Sequence, residues 1–261
     1  MPLDSVADIE SVSEPAAQNS AESAIGTPLL PYGSAVGYTT SSEAHEFLRR
    51  LVSSAYGTIT GHVEIGTTYK QNPIYMHCLG RCPSKLDSSM NAPVRRPSIE
   101  DVPAARGVHE LLINALHHAR EPLTLAALLL FARRQVEAVR AGVPEAQALW
   151  STRAAWLLPI TNPDGYDFNS ELLVKGRHSE ARQRKNRHVV GSKTCGAGKE
   201  TSMGVDINRN YLQFFDRGDP RYDTDSDWKE DCGEVYRGER AFSEAETRAI
   251  RDFLEARFEI G

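Results

Sequence analysis

Apolar positions at helical spacing alternate along this chain with short runs that are rich in apolar residues. The first helical pattern follows a capping box formed by Thr40 and Glu43, and a later one follows Ser243 and Glu246. Such pairs predict helix starts, because each side chain can satisfy a free backbone amide of the first turn. Between them, Pro122–Arg140 is predicted to be a helix, since proline suits its first turn.

The runs rich in apolar residues are short enough to be strands. They are Ile59–Thr68, Pro73–Leu79, Val108–His117 and Trp156–Ile160. Val205–Ile207 is short and apolar at both ends, and we interpret it as a further buried strand, whereas residues 168–200 are polar and are predicted to be loop. Strands that alternate with helices predict an α/β fold with a largely parallel sheet.

Composition divides the chain into two parts. Residues 1–35 are rich in Ser, Ala, Glu and Pro and are predicted to be a disordered acidic tail, which leaves one domain over residues 36–261. Residues 1–48 contain seven acidic residues and no Lys or Arg, so the rest of the chain is close to neutral. It therefore lacks the basic surface that is typical of nucleic-acid binding. The longest apolar run, Leu125–Ala132, is far shorter than the roughly 18 residues that span a membrane.

The segment His118-Ala-Arg-Glu121 offers the clearest candidate chemistry. It lies where a predicted strand ends and a helix begins, which is where α/β sheets usually bind ligands. A His and a Glu three residues apart can face one point, and catalytic zinc sites often use two His and one Glu. Taken alone, the pair is a weak motif, and a partly exposed His beside a Glu at a helix N-terminus explains it better.

Four further motifs follow this segment in a fixed order. They are Asn162-Pro-Asp-Gly-Tyr166, Arg184-Lys-Asn-Arg187, Gly204-Val-Asp-Ile-Asn-Arg-Asn210 and Tyr236-Arg-Gly238 with Ser243-Glu-Ala-Glu246. From about Tyr38 onwards the sequence thus resembles the zinc metallocarboxypeptidases of the carboxypeptidase A/B type. The resemblance implies a mixed, largely parallel twisted sheet with helices on both faces.

The resemblance also implies roles for individual residues. His118 and Glu121 would be two ligands of one Zn²⁺ ion, and Arg184 would stabilise the oxyanion. Arg120 would line an outer substrate subsite. Taken singly, Arg184 belongs to a basic run that equally fits a solvated loop.

The implied partner is a peptide or protein with a free C-terminal carboxylate. Asn208 and Arg209 would bind that carboxylate, since an Arg fork can bind a carboxylate through two hydrogen bonds. Read without the resemblance, the two residues fit a structural turn. Cys195 and Cys232 resemble the positions of a disulfide in many family members, and two free thiols are the alternative.

The sequence departs from the family pattern at its end. The family's third zinc ligand, a His, its catalytic Glu and a substrate-binding Tyr lie downstream of the last predicted helix. No His follows His188, and the chain ends at Gly261. We therefore expect a C-terminally truncated chain whose general base lies beyond Gly261, with little or no peptidase activity as it stands.

Two other functions fit part of the sequence. One is a non-catalytic relative that keeps Asn208 and Arg209 for carboxylate binding, and the other is an aspartoacylase-like zinc deacylase with the same His-x-x-Glu pair. Asn162–Gly165 favours the peptidase over the deacylase. The compartment stays open, because the family is commonly secreted but no signal peptide is visible here.

Overall fold

A computed structural model of the chain describes residues 30–54, 59–82, 108–189, 195, 202–215 and 230–258. These residues form helices and strands in the order of an α/β fold, with two helices, Pro144–Thr152 and Pro163–Val174, that the sequence did not predict. In chain order they are α1 (Ser41–Ser54), β1 (Ile59–Thr67), β2 (Pro73–Gly80), β3 (His109–Asn114), α2 (Pro122–Arg140), α3 (Pro144–Thr152), β4 (Arg153–Leu158), α4 (Pro163–Val174) and α5 (Ala245–Phe258).

The described strands form one mixed sheet in the order β1-β2-β4-β3. β1 pairs with β2 and β2 with β4 in antiparallel fashion, whereas β3 and β4 run parallel from His109 opposite Arg153 to Asn114 opposite Leu158. The α/β fold with a mixed sheet is confirmed, although the described strands are less parallel than predicted. Because β3 and β4 end at the same edge, the segments that follow them lie side by side.

Two apolar cores lie on opposite faces of the sheet, as the fold class requires. One face packs against α1 and α2 through residues such as Leu48, Leu51 and Leu129, all with no exposed area. The other face packs against α5, where Phe253 meets the buried Trp156 ring edge-on at 5.0 Å between centroids. Helices therefore cover both faces.

Local signals located two of the helices well. The capping box is present, with Thr40 N donating to Glu43 Oε2 at 2.7 Å and Glu43 N to Thr40 Oγ1 at 3.4 Å. α2 has the predicted bounds. By contrast, the predicted loop over residues 168–200 is wrong at its start, because α4 continues to Val174. The Asn162–Gly165 sequence begins that helix, with Asn162 Oδ1 accepting from Gly165 N at 3.0 Å.

The predicted strand over Val205–Ile207 is also wrong. Val205 and Asp206 are buried in a connection, and Ile207–Arg209 forms a single 3₁₀ turn. Asp206 N donates to Tyr236 O at 2.7 Å, and Asp206 accepts from Asn208 N at 3.1 Å through its side chain. The hydrogen bond from Asn208 N to the Asp206 side chain turns the backbone here, so the segment does not pair with a strand. Asp and Asn side chains often compete with strand formation in this way.

The predicted tail falls mostly outside the described residues, which begin at residue 30. Of its last positions, Ala35 is fully buried and Ser34 N donates to Glu43 Oε1 at 3.0 Å, so these two residues pack on the domain. Among the described residues, no helix combines the length and apolarity that crossing a bilayer requires. Cys78 and Cys82 form a disulfide at the end of β2.

Acid is expected to weaken the fold through two histidines at the contact between α1 and β2. His45 Nδ1 lies 3.1 Å from His77 Nε2. Burial, with the charge of neighbouring His62, lowers the pKa of His45 to about 4, and burial lowers the pKa of His77 well below its usual value. The unfolded chain therefore binds protons first, so the stability from this pair is complete above pH 6.5 and is lost as the pH falls towards 4.

The variant His45→Gln removes one of these titrating groups. Urea unfolding between pH 7 and 4.5 should show that the variant loses less stability over this range than the native chain, by on the order of 2 kcal/mol. An identical loss in both proteins would show that His45 does not carry the effect.

Candidate metal and peptide site

His118 and Glu121 lie in the turn between β3 and α2. Ala115 N donates to Leu158 O at 2.9 Å, which extends the parallel pairing by one residue before the chain turns away. Glu121 N then donates to His118 O at 3.1 Å, and Pro122 begins the helix. This tight turn directs both side chains to the carboxyl edge of the parallel strands.

The two side chains face each other. His118 Nδ1 lies 2.9 Å from Glu121 Oε1, with the imidazole buried and the carboxylate half-exposed. On the other side of the ring, Nε2 lies 3.3 Å from Asp206 Oδ1. The alignment of that second contact falls short of a good hydrogen bond, so the charge of Asp206 is the main attraction for Nε2.

Asp206 connects the histidine to an arginine. Its carboxylate is fully buried, and its Oδ2 accepts from Arg184 Nε at 3.0 Å and from Nη2 at 2.9 Å. Its Oδ1 faces His118 and accepts from Asn208 N at 3.1 Å. One carboxylate thus contacts His118, Arg184 and the backbone of Asn208 and fixes their relative positions.

The charge of Asp206 is well stabilised despite its position. Burial raises the pKa of this carboxyl group, but the close contact with His118 and the charge of Arg184 outweigh burial and hold the pKa below its usual value. Asp206 is therefore ionised at neutral pH. A carboxylate beside one ring nitrogen of a histidine is the arrangement that commonly orients the other ring nitrogen towards a metal.

The backbone of Arg184 lies directly against the turn that carries the ligand pair. Ala119 N donates to Arg184 O at 3.1 Å. The buried Asn169 of α4 donates to Ala119 O at 3.1 Å and to Gln183 O at 2.9 Å, which joins the same two segments a second time. α4, which the sequence analysis did not predict, is therefore what aligns the arginine segment with the ligand turn.

Of the other predicted site residues, Asn208 and Arg209 lie on the 3₁₀ turn that follows Asp206, with Arg209 Nη1 donating to Asn208 O at 3.1 Å. Arg120 is exposed and forms an ion pair with Glu234. Cys195 and Cys232 form a disulfide that joins the segments before Asp206 and before Glu234.

The sequence analysis did not single out Asp206. The only available signal was its place in the motif Gly204–Asn210, two residues before Asn208. The structure also gives His117 a partner, since its Nε2 lies 2.9 Å from Tyr211 Oη. Burial, reinforced by the charge of His118, lowers the pKa of His117 to about 4, so this ring is neutral at physiological pH.

The chemistry of the donors fits a zinc ion. An unprotonated imidazole nitrogen and a carboxylate oxygen are ligands that zinc prefers, and a ligand His commonly gives its other nitrogen to a carboxylate, as His118 does towards Asp206. Within the described residues, no three His, Cys, Asp or Glu side chains converge on a metal-binding point. The site thus offers two candidate metal ligands, His118 and Glu121, and one buried carboxylate, Asp206, that contacts the histidine.

Comparison with known proteins identifies the family. The sequence profile of zinc carboxypeptidases matches residues 45–260. The chain belongs to the zinc carboxypeptidase family. It is 26% identical to mouse carboxypeptidase A4 over 204 residues and 28% identical to pig carboxypeptidase A1 over 218 residues, matches that cover 78% and 83% of this chain. These matches span only 38% and 41% of the two relatives, or about two fifths of their length.

Solved zinc carboxypeptidase structures share the fold. Thrombin-activatable fibrinolysis inhibitor superposes with a TM-score of 0.58 at 20% identity, covering 87% of this chain and 46% of that one. Carboxypeptidase A of Helicoverpa armigera superposes with a TM-score of 0.55 at 24% identity, covering 85% of this chain and 43% of that one. At these identities the likeness concerns the fold alone.

Proposed function

We propose that the protein is a zinc-dependent carboxypeptidase that removes C-terminal residues from peptides or proteins. The observation that carries the proposal is the contact of Asp206 with both His118 and Arg184. This contact places a candidate metal ligand and a candidate oxyanion donor around one buried charge. The family membership supports the same reaction class.

His118 and Glu121 are the proposed ligands that this chain supplies. A bound zinc ion would supply an activated water and polarise the scissile carbonyl. Asp206 holds the orientation of the imidazole, so that Nδ1 faces the carboxylate of Glu121. This preorganisation favours metal binding, because neither side chain has to reorient.

Arg184 is the proposed oxyanion donor. Its guanidinium is held on one edge by Asp206 and is largely buried, which leaves its remaining N–H groups to face a substrate oxygen. A fixed cation in a site with little water stabilises the negative charge that develops on the carbonyl oxygen in the transition state.

Asn208 and Arg209 are proposed to bind the terminal carboxylate of the substrate, and Arg120 to line an outer subsite. The 3₁₀ turn Ile207–Arg209 carries the first two and follows directly on Asp206, which also binds Arg184, so Asp206 supports both the carboxylate site and the oxyanion site. A planar guanidinium can bind a carboxylate at two oxygens, which distinguishes a chain end from an internal residue.

The described residues supply two protein ligands, whereas a catalytic zinc ion usually has three. We therefore assign the third ligand and the general base to residues outside the described part of the chain, and we expect the described residues alone to hydrolyse peptides weakly or not at all. Binding of a carboxylate without hydrolysis would then be the remaining activity.

The test uses the protein expressed from its complete reading frame. N-blocked dipeptides with different C-terminal residues should be hydrolysed in the presence of zinc, and removal of zinc with a chelator should abolish hydrolysis until zinc is restored. The same dipeptides with an amidated C-terminus should be poor substrates, because the carboxylate is missing. Equal hydrolysis of free and amidated peptides would contradict the proposal, and carboxylate binding without turnover would indicate a non-catalytic relative.

A further inference from the structure

Asn186 lies two residues after Arg184 and is fully buried. Its backbone N–H donates to Val205 O at 3.0 Å, and its side-chain Oδ1 accepts from Val205 N at 2.8 Å. One residue thus satisfies both backbone groups of Val205, which directly precedes Asp206. Gly204 allows this approach, because a Cβ there would lie 1.9 Å from Asn186 O.

The start of α5 holds the other end of the Asn186 amide. Asn186 Nδ2 donates to Glu244 Oε2 at 2.8 Å and lies 3.3 Å from Glu246 Oε2. Both carboxyl groups are buried. Two acceptors on one side oblige the amide nitrogen to face α5 and the amide oxygen to face Val205. The orientation of the amide is therefore determined by its surroundings.

The charges around the amide are compatible with this arrangement. Burial raises the pKa of Glu246 to about 8, reinforced by the charges of Glu244 and of Asp164. Burial also raises the pKa of Glu244, but hydrogen bonds from His188 and Asn186 outweigh it and hold that pKa below its usual value. At neutral pH one carboxylate is charged and its neighbour is protonated, so the pair can share one amide without repulsion.

We propose that Asn186 is a positioning residue of the peptide site, which holds the segment of Arg184 in register with the segment of Asp206. The contact between Asn186 and Val205 and the ion pair between Arg184 and Asp206 join the same two segments at neighbouring points. The contact between Asn186 and Val205 fixes the distance between the two segments. The side chains of Arg184 and Asp206 are then already close enough to form their ion pair.

The inference rests on the proposed function, because the register matters for catalysis only if Arg184 stabilises an oxyanion. A misplacement of about 1 Å in a catalytic group can lower a rate on the order of 100-fold. Loss of Asn186 should therefore lower kcat more than it raises KM, since Asn208 and Arg209 keep their own support from the turn at Asp206.

The experiment compares Asn186→Ala with Glu110→Gln in the protein from the complete reading frame. Glu110 is a partly buried carboxyl group at the opposite end of β3, bound to Trp156 and Arg257, so its variant is a control for lost buried hydrogen bonds. We expect Asn186→Ala to lower kcat about 10- to 100-fold with a change in KM below about threefold, and Glu110→Gln to leave kcat within about threefold.

A second variant tests the direction of the hydrogen bond between Asn186 and Glu244. Asn186→Asp places a third acid beside two others and should lower kcat as the alanine variant does. Adding Glu244→Gln reverses donor and acceptor and should restore most of the loss. A double variant no better than Asn186→Asp would overturn the proposal, because a general loss of stability does not predict reciprocal rescue.

Hydrogen exchange provides a result that does not depend on activity. In Asn186→Ala, amides of residues 184–187 and 204–206 should exchange faster together, while those of α2 should not change. Unchanged protection of the two segments, or an unchanged kcat, would refute the role of Asn186. If the native protein hydrolyses no peptide, the proposed function fails, whereas the exchange comparison still decides whether Asn186 joins the two segments.

Discussion

Arg184→Met is expected to lower kcat by about 10²- to 10³-fold while KM changes little. Removal of one preorganised donor to an oxyanion typically has an effect of this size, and the guanidinium of Arg184 is held in place by Asp206 before substrate binds. Steady-state kinetics on an N-blocked dipeptide measures both constants. Arg184→Lys should recover only part of the rate, because an ammonium group cannot reproduce the planar fork.

Arg182→Met is the matched control for this variant. Arg182 is exposed and lies two residues before Arg184 in the same basic segment, so its loss changes the charge equally without touching Asp206. Its kcat should stay within about threefold of the native value. If both variants lost activity equally, the segment would act through its overall charge, and the assignment of the oxyanion to Arg184 would be wrong.

Asp206→Asn is expected to lower zinc affinity about 10- to 100-fold, the usual cost of losing the partner of a ligand histidine. The amide has the shape of the carboxylate, but both carboxylate oxygens of Asp206 face donors. Oδ2 accepts from Arg184, and Oδ1 accepts from Asn208 N beside His118 Nε2. An Asn therefore has to place its NH₂ group against another donor.

Competition with a chelator of known affinity measures this change in zinc binding. Asp252→Asn is a suitable control. It removes the same charge as Asp206→Asn, but from a half-exposed ion pair with Arg251 on α5. The control should bind zinc as the native protein does. Native affinity in Asp206→Asn would show that the buried acid does not support the ligand histidine.

The elements that the sequence predicted well are those whose signals are local. α2 has Pro122 in its first turn and a run of apolar residues behind it, and α1 has its capping box, so neither depends on distant contacts. α4 was missed because Asn162-Pro-Asp-Gly165 also has the composition of a turn. Its buried Asn169 is satisfied by backbone groups of Ala119 and Gln183, which no local pattern reveals.

The site was predictable to the same limited extent. His118 and Glu121 are three residues apart, so one turn brings them together. The part played by Asp206 depends on partners far away in the chain, and the strand predicted over Val205–Ile207 assigned it to a sheet instead. Its side chain accepts from Asn208 N and turns the chain, and this same turn allows it to reach both His118 and Arg184. Such a role follows only from the folded chain.

The most direct measurement of the central claim is the zinc stoichiometry and affinity of the protein from its complete reading frame, compared with Glu121→Ala and His118→Ala. The claim predicts one tightly bound zinc ion in the native protein, and in each variant a loss of affinity greater than the 10- to 100-fold expected for an outer partner. Glu171→Ala, an exposed residue of α4, should bind zinc normally. Native zinc affinity in Glu121→Ala or His118→Ala would contradict the account.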